Sequence, residues 1–226
     1  MGFINYQTKE IHVAAVYFGA AGTPLEQNIE WIVNRTASPQ ARRVRWPGAG
    51  PFIDALPLSL GDIRGFHTRV YLATAKAELG EARHKVFYGL FHAPLAGGEA
   101  VPSLGNLPQH TRLSVDGVLF IADEAPEKAE ATRAAWVELR HELGRAGFDL
   151  FKLPRVVQVN VASAMPSKVD PGPAIQKLLG LGPEPVVVAD VVNGIGVFDA
   201  LKVLAKQMLV ELPRAPGDAA QRNRTS

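Results

Sequence analysis

The chain has 226 residues, 47% of them hydrophobic and 20% charged, which suits one α/β domain with a real core and excludes a disordered chain. A formal net charge of +2 is too near neutral for a dedicated nucleic-acid binder. Without cysteine there is no disulfide scaffold, thiolate metal site or thiol chemistry; no leader pattern opens the chain and no apolar run reaches the roughly 20 residues of a membrane span, so a cytoplasmic protein with no membrane segment is expected.

In chain order, Val13 to Phe18 is a buried strand by composition and ends at Gly19. Leu25, Ile29 and Ile32 follow at helical spacing. Between Phe52 and Leu60, the residues Leu56, Leu58 and Leu60 share one face. Phe66, Thr68, Val70 and Leu72 alternate against His67, Arg69 and Tyr71. The intervening Gly61-Asp62-Ile63-Arg64-Gly65 predicts the turn of an antiparallel hairpin. Gly117 to Ala122 is another buried strand. Asp123, Pro126 and the stripe Trp136, Leu139 and Leu143 describe a long helix ended by Gly144 and Gly147. Val156 to Asn160 is a fifth strand, Ala174 to Leu179 a short helix, and Pro185 to Ala189 a sixth strand. Gly194-Ile195-Gly196 leads into a last helix with Val197, Leu201, Leu204 and Met208 on one face, stopped by Pro213.

Strands alternating with helices predict an α/β fold: a six-stranded, mostly parallel sheet with one antiparallel hairpin and helices on both faces. The domain is expected to span residues 1–212. Residues 79–113 read as an insertion, since the stretch with Pro94, Gly97, Gly98, Pro102, Gly105 and Pro108 exceeds the about 12–15 residues of an ordinary loop. Residues 213–226 form a polar tail expected to be disordered.

This order of elements resembles a Ras-like small GTPase with the P-loop NTPase fold, and more closely the bacterial MglA-type branch, which controls cell polarity and gliding motility. The stretches that carry the resemblance are Val16-Tyr17-Phe18-Gly19, Asn28-Ile29-Glu30-Trp31-Ile32, Asp54-Ala55-Leu56-Pro57-Leu58 and Gly65-Phe66-His67-Thr68-Arg69. They continue with Val115 to Asp123, Val157-Gln158-Val159-Asn160 and Gly194-Ile195-Gly196-Val197-Phe198.

The nucleotide motifs that the resemblance implies are degenerate. A P-loop reads G-x-x-x-x-G-K-[ST], whose N–H groups and lysine hold phosphate and whose hydroxyl holds Mg²⁺. Opening at Gly19, this chain has Pro24 at the second glycine, Leu25 at the lysine and Glu26 at the hydroxyl. Gly22 lies within the turn. Thr23-Pro24-Leu25-Glu26 reads instead as a capping box with proline at the first helical position. In it Thr23 accepts from the N–H of Glu26, and Glu26 reaches back to the N–H of Thr23. Glu26 also sets a negative charge where phosphate must arrive, at a cost of order 4 kcal/mol per unit charge at ~4 Å and an effective dielectric of about 20.

The switch I threonine falls near Gly50, and the D-x-x-G turn becomes Ala75-Lys76-Ala77-Glu78. The guanine motif N-K-x-D becomes Asn160-Val161-Ala162-Ser163, which keeps the asparagine and loses the aspartate. The last base-contacting turn falls on Val191-Val192, which is apolar. Thus the vestigial pocket is Gly19, Gly22, Thr23, Pro24, Leu25, Glu26, Asn160 and Ser163.

No catalytic or metal-binding residue is expected. There is no G-x-S-x-G elbow, and the six histidines show no i,i+4 zinc pattern. The expectation is a pseudo-GTPase that needs no cofactor and works by binding protein. The family resemblance implies a roadblock-type dimer as partner. Candidate partner-binding residues are Arg42, Arg43, Arg45, Phe52, Leu56, Phe87, Leu90 and Phe91. The alternative is a divergent GTPase that binds GTP or GDP weakly, with Lys76 or one of Arg42, Arg43 and Arg45 replacing the lost lysine.

Overall fold

The ten-residue strand Glu10–Gly19 has no exposed side chain, and from Val13 to Phe18 every residue is 0% accessible. A strand closed to water on both faces must lie inside a sheet covered twice. The computed structural model describes residues 3–36, 44–45, 54–63, 65–74, 115–161 and 170–212. Within them run β1 (Phe3–Asn5), β2 (Glu10–Gly19), α1 (Leu25–Thr36), β3 (Val44–Arg45), β4 (Asp54–Ile63), β5 (Phe66–Thr74) and β6 (Gly117–Asp123). After these come α2 (Ala129–Arg145), β7 (Arg155–Asn160), α3 (Gly172–Leu179), β8 (Val186–Ala189) and α4 (Val197–Val210).

The sheet order is β3-β4-β5-β2-β6-β7-β8, with β1 pairing antiparallel to β2. The core strands β5, β2, β6, β7 and β8 are parallel, and β4 runs antiparallel to β5. Alternation splits the core in two. Ala14, Val16, Phe18, Phe120, Val157 and Val159 face α2 and α3, where Trp136, Leu139 and Leu143 supply the predicted stripe. Val13, Tyr17, Leu119, Ile121 and Val156 face α1 and α4, against Ile29, Ile32, Leu201, Leu204 and Met208. The six predicted strands and four predicted helices are all present.

Two short strands add to the six, giving eight among the described residues. No glycine marks the turn between β1 and β2. The Asn5 side chain builds it instead, accepting from the N–H groups of Gln7 and Thr8 at 3.0 and 3.2 Å, and Lys9 takes φ 54°. The β4–β5 hairpin turns later than predicted. Pairing runs as far as Ile63 with Phe66, and a bulge between Ser59 and Asp62 takes up Gly61.

His12 lies buried near this hairpin, its Nδ1 2.9 Å from the Tyr71 hydroxyl, its ring stacked on Tyr71. Burial lowers its pKa, opposed by Glu10 and assisted by Arg69. The folded state therefore holds fewer protons than the unfolded one at mildly acidic pH. The stability due to neutral His12 is complete above the unfolded value of 6.5 and is lost as pH falls below it. Urea titrations at pH 7.5 and 5.5 should show a larger loss of stability in the wild type than in His12→Gln.

Gly196 begins α4 at φ 76°, and a Cβ there would stand 2.2 Å from the Val188 carbonyl oxygen. Gly196→Ala should cost more than the about 1–3 kcal/mol of the backbone strain alone, measured by urea denaturation.

Candidate functional site

The chain leaves β2 towards β4 and β5 on one side of the sheet and later crosses to β6, β7 and β8 on the other. Such a reversal opens a crevice beyond the carboxyl ends of the parallel strands. Register aligns those ends: Gly19 pairs with Ile121, Asp123 with Asn160, and Asn160 with Ala189. The vestigial pocket residues fall here, except Ser163, which lies outside the described residues.

The turn from β2 into α1 closes on its own backbone. The Thr23 N–H donates to the Ala20 carbonyl at 3.1 Å, and the Leu25 N–H to the Thr23 carbonyl at 2.8 Å. Pro24 has no N–H to give. The partner found for the Thr23 N–H is thus a carbonyl, where the capping-box spacing points to the Glu26 carboxylate. Gly19 is a close approach: a Cβ would stand 2.9 Å from the Ile121 carbonyl oxygen and 3.1 and 3.2 Å from the Thr23 methyl and hydroxyl. The Thr23 side chain is therefore packed onto the first residue of the turn. Leu25, at the lysine position, is buried with Ile29 and Ile32 in the core beneath α1. Gly22 is exposed at φ 78°.

The other walls carry carboxylates. At the end of β6, Asp123 accepts the Ala125 N–H at 3.0 Å and pairs with Lys128. Glu124 follows, its N–H donating to the Asn160 carbonyl at 3.1 Å. At the end of β8, Asp190 organises the turn that the apolar Val191-Val192 left without a polar handle. Its carboxylate accepts the N–H groups of Val192 and Asn193, each at 3.0 Å, and the Asn193 side-chain amide at 2.7 Å. Asp190 and Ile195 then exchange backbone bonds of 2.9 and 3.0 Å.

Beneath the turn lies a buried row of amides that the motif positions do not predict. Asn28 and Gln158 are 0% accessible and Asn160 4%. Asn28 donates to the Pro24 carbonyl at 2.8 Å. Gln158 donates to the side-chain oxygens of Asn28 and Asn160, the latter at 2.7 Å. Asn160 is therefore held within the row. Asn28 sits on the apolar stripe of α1 and Gln158 in the middle of a valine strand, and a polar residue at such a place must be paired. That was the available signal.

Of the candidate partner-binding residues, Arg45 and Leu56 are among the described residues. Arg45 pairs in register with Asp54 at the sheet edge, and Leu56 lies on β4 opposite Leu72. Arg42, Arg43, Phe52, Phe87, Leu90 and Phe91 lie outside the described residues, as do Gly50 and Ala75 to Glu78. Among the described residues no group of three or more His, Asp or Glu is placed to hold a metal ion, and no helix is long and apolar enough to cross a membrane.

No protein-family model matches the chain. It is 34% identical over 218 residues to the mutual gliding-motility protein MglA of Myxococcus xanthus, a match covering 95% of this chain and 99% of that protein. The chain belongs to the MglA family of Ras-like small GTPases. Membership agrees with the mostly parallel sheet, the long β4–β5 hairpin and the crevice at the end of β2.

Asp190→Ala removes three accepted hydrogen bonds from a turn whose aspartate is 9% accessible. It should cost about 2 kcal/mol by chemical denaturation.

Proposed function

We propose that this chain is a pseudo-GTPase of the MglA family: a G domain, residues 1–212, that has given up tight Mg-dependent nucleotide binding and works as a protein-binding scaffold or regulator. The observation that carries the reading is the closed turn. A phosphate-binding turn leaves backbone N–H groups free at a helix N-terminus. Here Thr23 and Leu25 give theirs to the Ala20 and Thr23 carbonyls, Pro24 has none, and the residue at the lysine position is buried in the core. The dipole of α1 already has the carboxylate of Glu26 in its first turn.

The similarity to a gliding-motility protein supports a role in cell polarity or gliding motility in the cytoplasm. A roadblock-type dimer is the partner class that suits that role. Residues 42–58 and the insertion at 79–113 are the segments we assign to it. A scaffold whose crevice is closed without ligand holds one conformation whatever the nucleotide supply.

Isothermal titration of GTP and GDP, each with and without Mg²⁺, should give no binding at micromolar concentration; micromolar or tighter affinity for either would overturn the reading. In the other direction, Pro24→Gly/Leu25→Lys/Glu26→Thr restores three motif positions. It should raise GDP affinity by at least roughly tenfold, since a like charge is removed and a cation supplied. Loss of the buried leucine should cost about 2 kcal/mol of stability in the same variant.

A further inference from the structure

The amide row beneath the turn does more than satisfy itself. It crosses the crevice. Its first member holds the Pro24 carbonyl at the start of α1. Its middle member, Gln158, reaches from the centre of β7 to Asn28 on α1 and to Asn160 on its own strand. The Asn160 carbonyl takes the N–H of Glu124, beyond β6. The next residue, Val161, donates to the Ala189 carbonyl of β8 at 2.9 Å. Four walls of the crevice are thereby joined from one connected line of polar groups.

The direction of the amides follows from Pro24. A carbonyl only accepts, so Asn28 must present its NH₂ there and its oxygen to Gln158. Gln158 must then donate, and its Nε2 has two hydrogens for two acceptors, the oxygens of Asn28 and Asn160. The arrangement costs something: Gln158 Oε1 and Asn160 Nδ2 are buried without a hydrogen-bond partner among the described residues. Apolar residues at all three positions, 28, 158 and 160, would pack with no such debt, so cohesion of the core alone does not call for amides here.

We propose that Asn28 and Gln158 form an internal staple, positioning residues that hold the first turn of α1 against β7 and the segment after β6, so that the crevice walls stay fixed with no ligand between them. The staple rests on the reading of this crevice as nucleotide-free, and deepens it: a ligand that bridges opposite walls stabilises the bridged state, and here the chain supplies the bridge itself.

Amide hydrogen exchange on the full chain tests it, with Asn28→Leu, Gln158→Leu and the triple variant Asn28→Leu/Gln158→Leu/Asn160→Leu beside the wild type. In each single variant the bonded amides of Thr23, Leu25 and Glu124 should exchange at least about tenfold faster, with the β4–β5 hairpin unchanged. In the triple variant no amide of the row is stranded, so the melting temperature should recover relative to the singles while those three amides remain fast. Recovery of both together, or uniform acceleration across the sheet, would overturn the staple.

Should a leucine variant fail to fold, Asn28→Asp serves. It keeps an acceptor for Gln158 and loses the donor to Pro24, so Thr23 and Leu25 should speed up while Glu124 does not; unchanged rates at all three overturn the proposal. GDP with Mg²⁺ is then added to the leucine variants. Slow exchange restored by GDP supports the staple and overturns the pseudo-GTPase reading. A failed staple leaves the nucleotide titration of the wild type standing on its own.

Discussion

The complete burial of β2 is the constraint from which the other placements follow. Six successive residues with no accessible surface need a paired strand on each side and a helical layer on each face. Partners β5 and β6 meet the first need, and α1 with α4 and α2 with α3 the second. A strand so enclosed can reach water only at its ends, and its carboxyl end is Gly19. There the backbone passes so close to the Ile121 carbonyl that a side chain has no room. The crevice is therefore fixed by the core, and its position would be the same whether or not anything bound in it.

That separation of frame from contents bears on what family membership transmits. Identity of 34% spread over 95% of the chain is what a maintained core and maintained crossovers require. The residues that grip a triphosphate are few and contribute little to such a figure. Leu25 turns into the apolar space between α1 and the sheet, beside Ile29 and Ile32, and so belongs to the frame.

The strands and helices were legible because each is either a continuous apolar run or a stripe at helical spacing, signals set by burial alone. The parts less legible depend on single side chains acting at short range. The β1–β2 turn rests on the Asn5 carboxamide in place of a glycine, and β3 is only two residues long. The β4–β5 turn was misplaced because Gly61, which looks like turn chemistry, serves a bulge in the strand instead. The turn after β8 looked merely apolar from Val191 and Val192. Its organiser is the aspartate just before them, which captures two N–H groups and a side-chain amide.

At the crevice, the motif positions located the turn, and proline predicted the missing donor. They did not reveal Asn28 or Gln158, since a motif describes what meets the ligand and these two meet each other. Their visible trace was the cost of burying a carboxamide, which a chain bears only where the bonds made inside replace those lost to water. Asn28 sits on the apolar stripe one residue before Ile29, and Gln158 stands between Val157 and Val159. The two lie 130 residues apart in sequence, so no local pattern links them, and only the folded chain, which sets the first turn of α1 beside β7, brings donor to acceptor.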